Sequence, residues 1–347
     1  MSALREGFTT GSCAAACALA SCLWQRDGDC PSQVALTVPE GRTYMAEIHA
    51  IGPYRCAVYK DSGDDPDITN GSEVWAQVQL LPEGPVRFQA GEGVGTVTLP
   101  GLKVAVGEPA INPVPRCMIE DAVRSVFPEK GALVTVGVTG GRELAQRTFN
   151  PRLGIVDGLS ILGTTGVVRP MSEEALTDTI RLELTLRKAN GADVIALVFG
   201  SQGEEALRRL RPDLPCVQIS NYVGFALDAA AEMGFCRVLL AGQPGKLCKV
   251  SGGSMQTHSR YGDGRKEPVC ARLTLLGAPM ALLRTVMESP TLDGVIAPIR
   301  EAGYSAVWNS LCAAASRYCM ARTRNRLRVD TLMLDAAGQP IGEYIDE

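Results

Sequence analysis

No C-x-x-C pair occurs among the twelve cysteines, and the chain has only two histidines and 5% aromatic residues. Without that spacing a zinc or iron–sulfur centre has little support. Cys13, Cys17 and Cys22 fall instead in CAAACALASC, a helical apolar run where reduced cysteines serve as small hydrophobes. No run reaches the ~18–20 apolar residues of a membrane span, and MSALREGFTTGS lacks the basic and apolar regions of a signal peptide. The expectation is a soluble, cytoplasmic protein. Basic excess is also missing: the formal charge is −4, which argues against nucleic acid or an anionic membrane as the main partner.

What is present is length and turn chemistry. At 347 residues the chain exceeds the ~100–200 of a usual domain, so two domains are expected. With 46% apolar residues, 37 glycines and 21 prolines, it reads as a globular chain of small aliphatics with many tight turns.

Residues 33 to 100 alternate apolar and polar positions in QVALTV, TYMAEIHAI, YRCAVYK and EVWAQVQL, the period of half-buried strands. A buried helix from Ser12 to Trp24 precedes them; LVTVGVTGG follows as a further strand and RELAQRTF as a short helix. A helix after Ser172, with Glu173 and Glu174 in its first turn and Leu176, Ile180 and Leu184 on one stripe, ends before Gly191. From DVIALVFG onward, all-apolar strands alternate with helices, which predicts a parallel sheet covered on both faces. These patterns place an α+β domain over 1–190 and a small α/β domain over 191–347. VWNSLCAAASRYCMARTRNRLR reads as a long helix, with Arg317, Arg322, Arg324, Arg326 and Arg328 as a solvated basic face, and RVDTLMLD as a last strand.

Several segments carry candidate chemistry. FTTGSCAAA opens a helix on two threonines and a glycine, either an anion site at a positive dipole end or an ordinary cap. NPRLGIVDGLSILGTTG has glycines for close backbone approach or for successive turns, but not a Rossmann fingerprint. VFGSQGEEA sets Gly200 and Gly203 in a βα turn, where nucleotide-type ligands bind in open sheets. AGQPGKLCKVSGGSMQTHSR follows a strand with Gly242, Lys246, Lys249, His258 and Arg260; its spacing is not that of a Walker loop. KDSGDDPDITNG gathers Asp61, Asp64, Asp65 and Asp67. It fails the calcium-loop pattern, because Asn70-Gly71 arrive one residue late and no glutamate stands at the twelfth position, while a turn on Asp-Pro and Asn-Gly fits.

GFTTGSCAAA, YKDSGDDPDITNG, GEGVGTVTLPGL, GEPAINPVPR, ELAQRTFNPRLGIVDGLSILGTTGVVRPMSEEAL, SNYVGF and GKLCKV…THSR run in order from residue 7 to about 265. Together they resemble the CbiD family, cobalt-precorrin-5B C-1 methyltransferases of oxygen-independent cobalamin biosynthesis. The resemblance implies S-adenosylmethionine-dependent methylation of C-1 of a tetrapyrrole, giving cobalt-precorrin-6A, with cobalt present only as part of the substrate and no protein metal site. It also implies a first domain similar to a permuted ribosomal-S5-domain-2-like fold. Three positions depart from the family pattern: Gln243 stands where a histidine is usual, Phe199-Gly200-Ser201 where a Pro-Gly-Asn type turn is usual, and Asp157 where glycine is common.

The acetate and propionate arms of such a substrate call for cations, hydroxyls and helix N-termini. On that ground Thr9, Thr10, Ser12, Lys60, Lys246, Lys249, His258 and Arg260 are candidate substrate residues. Gly200, Gly203, Ser220, Asn221 and Gly242 are candidates for the methyl donor, and Asp64 and Asp65 for polar contact with the reacting centre. A homo-oligomer and contacts with other corrin-pathway enzymes are both compatible with the chain. Two further functions stay open: a non-catalytic carrier of a cobalt-tetrapyrrole, and a small-molecule kinase of S5-like fold.

Overall fold

The computed structural model describes residues 4–170 and 172–346, and the chain divides into two compact units, Met1–Glu173 and Glu174–Glu347. In the first unit β1 (Gly7–Phe8) leads into α1 (Thr10–Asp27). Thr9 caps α1 through its side-chain oxygen, which accepts from Ser12 N–H, and Gly28 ends it in the left-handed conformation at φ 90°. The strands β2 (Gln33–Thr37) and β3 (Thr43–Glu47) pair as a hairpin. Next come β4 (His49–Gly52), β5 (Arg55–Tyr59), β6 (Glu73–Leu81), β7 (Val86–Ala90), β8 (Thr96–Val97), α2 (Pro113–Val126) and β9 (Gly131–Val138). Five of these strands form one mixed sheet in the order β4-β5-β6-β9-β7. One face of it, with Cys56, Val58, Val74, Ala76, Val134 and Val136, shares a core with α1, whose Cys13, Ala14, Ala16 and Cys17 are fully buried. Small side chains let that helix lie close to the strands.

A short helix α3 (Gly141–Ala145) follows, then β10 (Ile155–Val156) and β11 (Val167–Val168), which pair with β8 and β1 respectively. Glycines here serve packing. A Cβ on Gly93 would stand 2.0 Å from Val138 O, one on Gly141 would stand 2.4 Å from Gly93 O, and one on Gly158 would stand 2.5 Å from Gly93 C. Backbone therefore lies directly on backbone where these segments meet.

The second unit runs α4 (Glu173–Ala189), β12 (Val194–Val198), α5 (Ser201–Leu210), β13 (Cys216–Gln218), α6 (Val223–Glu232), β14 (Arg237–Gly242) and α7 (Pro244–Ser251). It continues with α8 (Lys266–Leu275), α9 (Met280–Glu288), α10 (Asp293–Glu301), α11 (Ala306–Arg322), β15 (Arg328–Leu334) and β16 (Pro340–Tyr344). The sheet order is β13-β12-β14-β15-β16; the first four strands are parallel and β16 is antiparallel. One face packs Ala196, Val198 and Leu239 against α5, and the other packs Ile195, Leu197, Leu240 and Val329 against α4, α6, α7 and α11.

Two expectations shift. The division falls at Glu173/Glu174 rather than at 190, because α4 puts Ile180 and Leu184 into the core of the second unit. The long C-terminal helix stops at Arg322, since Arg324 and Asn325 take φ 53° and 57°, which no α-helix accommodates. Helix α2 and strand β16 were not read from the sequence.

Candidate active site

In the first unit, the α1 N-terminus is occupied by the chain itself. Leu162 O accepts from Gly11 N–H at 2.8 Å, and Thr10 Oγ1 accepts from Leu162 N–H at 3.0 Å. Ser12 Oγ donates to Gly166 O at 2.7 Å, and Gly166 O also accepts from Thr9 N–H at 3.1 Å. Thr10 and Ser12 are buried. These hydroxyls pin the glycine-rich segment to the helix, so Thr10 and Ser12 offer no surface to substrate arms, and the glycines at 163 and 166 are where that segment passes Thr9 and Val38.

The aspartate-rich loop joins β5 to β6. Lys60 is 2% exposed; its Nζ donates to Asp67 Oδ2 at 2.7 Å and to Ser62 Oγ. Asp67 Oδ1 accepts from Thr69 N–H at 2.8 Å and Thr69 Oγ1 at 2.7 Å. Burial pushes the Asp67 carboxyl pKa up, but the Lys60 charge and these hydrogen bonds outweigh it, and the net shift is downward. Asp61 pairs with Arg5, whose hydrogen bond is the first cause of its lowered pKa, and Asp64 Oδ2 accepts from Arg5 N–H at 2.6 Å. Lys60 is thus an internal cation rather than a substrate contact. Asp64 is exposed and Asp65 half-buried.

In the second unit, the chain leaves β12 for β13 through α5 and leaves β14 for β15 on the other side through α7 to α11. The carboxyl ends of β12 and β14 are therefore a topological switch point, where open α/β sheets bind ligands. Phe199 and Gly200 follow β12, Gly242 ends β14 with Gln243 after it, and Ser220, at φ 50°, follows β13. A Cβ on Gly242 would stand 2.4 Å from the Phe199 ring. Lys246 Nζ lies 5.4 Å from the centre of that ring and donates to Ser220 O at 3.3 Å. Burial, and then the Lys249 charge, lower the Lys246 pKa from the ordinary lysine value. The N-termini of α5 and α7 belong to the same end of the sheet, α5 with Glu204 in its first turn and α7 opening on Pro244.

Lys246 therefore groups with Gly200, Ser220 and Gly242 rather than with a separate substrate set. Gly203 lies inside α5. Asn221 accepts twice from Thr257: backbone N–H to O at 3.1 Å and Oγ1 to Oδ1 at 3.0 Å. Lys249 is buried, with its Nζ donating to Thr257 O at 3.2 Å and Gly262 O at 2.9 Å, so its ammonium is engaged by the chain's own carbonyls. His258 and Arg260 are exposed on the segment it holds. A cavity of about 520 Å³ opens beside that segment, lined by Lys249, Ser254, Tyr261, Glu267 and Arg272.

Sequence reasoning overlooked His49. Its Nε2 lies 2.9 Å from Glu73 Oε1, Glu73 Oε2 accepts from Thr139 Oγ1 at 2.7 Å, and the ring stacks on Tyr59 with centroids 4.8 Å apart. The His49 hydrogen bond and then that of Thr139 lower the Glu73 pKa. Period-2 alternation placed these residues on strands, but only register brings β4, β5, β6 and β9 side by side.

All twelve cysteines are free. Burial pushes Cys13 up to about 11 and Cys22, Cys312 and Cys319 up to about 12, which removes their thiolates at neutral pH. Among the described residues no group of three or more His, Cys, Asp or Glu is placed to hold a metal ion, and no helix is long and apolar enough to cross a membrane.

An α/β unit with Lys246 and two glycines at its switch point has the arrangement in which open sheets bind small molecules. Comparison with known proteins narrows the class. The CbiD family model matches residues 1–170 and the model for the CbiD C-terminal domain matches residues 256–344. The cobalt-precorrin-5B C(1)-methyltransferase of Alkaliphilus metalliredigens is 39% identical over 337 residues, covering 95% of this chain and 89% of its own length. Its namesake in Desulfitobacterium hafniense is 42% identical over 334 residues, covering 94% and 86%. A crystal structure of the cobalamin biosynthesis protein (cbiD) from Archaeoglobus fulgidus aligns over 79% of this chain and 85% of its own, at 26% identity and a TM-score of 0.41. The chain belongs to the CbiD family.

Proposed function

We infer that this chain is a cobalt-precorrin-5B C(1)-methyltransferase: an enzyme of cobalamin biosynthesis that methylates C-1 of the tetrapyrrole to give cobalt-precorrin-6A. The observation that carries the reading is identity of 39–42% to curated enzymes of that name over at least 94% of the chain. S-adenosylmethionine is the proposed donor, and it supplies a methyl group already activated on a sulfonium. The protein's task is then alignment and exclusion of water rather than generation of a strong nucleophile.

The residues of the switch-point crevice fit such a donor. Lys246 offers a half-buried ammonium to a carboxylate, Phe199, which lies directly against the Gly242 backbone, an apolar wall, and Gly200, beside which an added Cβ would meet nothing within 4 Å, room for close backbone approach. Gln243 can donate and accept hydrogen bonds at the head of α7 but carries no proton to exchange near neutral pH. We assign His258 and Arg260 to the carboxylate arms of the substrate, and Asp64 and Asp65 to polar contact with the reacting centre. An S5-like first unit, a cytoplasmic location and a small-molecule tetrapyrrole partner belong to the same proposal.

The test is incubation of the purified protein with methyl-labelled S-adenosylmethionine and cobalt-precorrin-5B. Label on the macrocycle supports the enzyme. Tight binding of both ligands with no transfer turns the reading to a carrier, and ATP consumption turns it to a kinase.

A further inference from the structure

The segment that carries His258 is fastened on two sides of the second unit. Thr257 is clasped by Asn221 through the two hydrogen bonds described above, and Met255 O accepts from Gly224 N–H at 2.9 Å. From the α7 side, Lys249 reaches Thr257 O and Gly262 O, the two carbonyls that bracket residues 258–261. Its side chain is 7% exposed, and the nearest carboxylate, Asp263 Oδ1, is 3.8 Å away on a largely exposed side chain. Burying an ammonium is costly, and a methionine would fill similar volume without that cost. What the ammonium adds is a fixed span between the two carbonyls.

Inside the bracket, His258 N–H donates to Gln256 Oε1 at 3.1 Å, and the ring Nδ1 accepts from Arg260 N–H at 3.1 Å. A neutral imidazole that accepts at Nδ1 carries its proton on Nε2. The ring is exposed, so this proton is available to a ligand acceptor.

We propose that Lys249 is a positioning residue: by bracketing residues 258–261 it holds His258 in one tautomer, with Nε2–H directed to a carboxylate of the ligand. Lys249 touches no ligand. The role of His258 toward a carboxylate arm rests on the methyltransferase reading; the tautomer does not.

Imidazole nitrogen NMR on the full ¹⁵N-labelled chain tests it, because His49 is the other histidine and His49→Gln assigns the spectrum. At a pH where the ring is neutral, His258 shows Nε2 protonated and Nδ1 bare. Lys249→Met turns this signature into a tautomer average and raises KM for the tetrapyrrole about tenfold while kcat changes little. His258→Ala gives the same rise, and His258→Gln, whose amide N–H replaces the imidazole donor, recovers part of it. A protonated Nδ1 in the native chain overturns the proposal, as does Lys249→Met with a lowered Tm but unchanged tautomer and KM. Should Lys249→Met fail to fold, Lys249→Gln, a neutral donor, is read the same way. If the native chain transfers no methyl group the functional reading falls, while the spectrum still decides the role of Lys249.

Discussion

Lys60 and Asp67 show how a charge-dense string becomes a structural device. From sequence, Lys60 was a candidate substrate residue and the loop around it fitted a turn as well; burial of Lys60 turns it inward, since a cation with 1% side-chain exposure must keep its partner. Asp67→Asn weakens that charge compensation and is expected to cost about 3 kcal/mol, the scale of breaking a buried pair, read as a fall in denaturation midpoint. Retention of native stability would contradict it. The pH dependence has a definite sign. Asp67 has a lowered pKa in the fold, so its contribution is present above the unfolded carboxylate value of ~3.9 and is lost as pH falls through the folded value. The acid limb of a stability profile should therefore flatten in Asp67→Asn. Asp157 is the reverse case: it sits at φ 66°, a conformation that favours glycine, and its ion pair with Arg142 is exposed on both sides. The exposed pair is worth less than the strain, so Asp157→Gly is expected to leave stability unchanged or raise it by up to about 1 kcal/mol. A loss of more than that in thermal melts would show that the ion pair dominates.

Among the elements, α1 and the crevice at β12 and β14 differ in how much of them the sequence disclosed. Small residues all round announced a buried α1, and Thr9 announced its cap. What filled its N-terminus was hidden, because Leu162 and Gly166 lie far along the chain and only tertiary folding brings their carbonyls there. Likewise the apolar runs of β12 and β14 predicted a parallel sheet, whereas placement of Lys246 over Phe199 depended on how α7 leaves β14. Helix α2 escaped notice because its prolines, at 113 and 115, resemble loop punctuation although proline is tolerated in a first turn. Gly242→Ala would press a methyl group into the Phe199 ring, and we expect weaker methyl-donor binding by calorimetry with the fold retained; unaltered affinity would remove the donor from this crevice. Gly93→Ala is harsher, since the added carbon meets backbone rather than a movable ring, and a loss of at least ~2–3 kcal/mol is expected in unfolding experiments.

At the scale of the whole chain, two units of different architecture were legible from the change in hydrophobic period, from alternation to continuous apolar strands. Their division was misplaced because a helix pattern says which face is buried and not which core receives it; Ile180 and Leu184 of α4 go to the second unit. The functional site was less legible than the fold. Composition and spacing gave a metal centre little support and did not match a Walker loop, motif resemblance supplied the family, and neither could show that Lys60 and Lys249 act inward. The central claim, that this chain carries a methyl group to C-1 of cobalt-precorrin-5B, is tested most directly by mass spectrometry and carbon NMR of the macrocycle after incubation with carbon-13 methyl-labelled S-adenosylmethionine. One labelled methyl at C-1, appearing with the native protein and diminished in Lys246→Ala, is the predicted result. An unlabelled macrocycle, or label at another ring position, would contradict it.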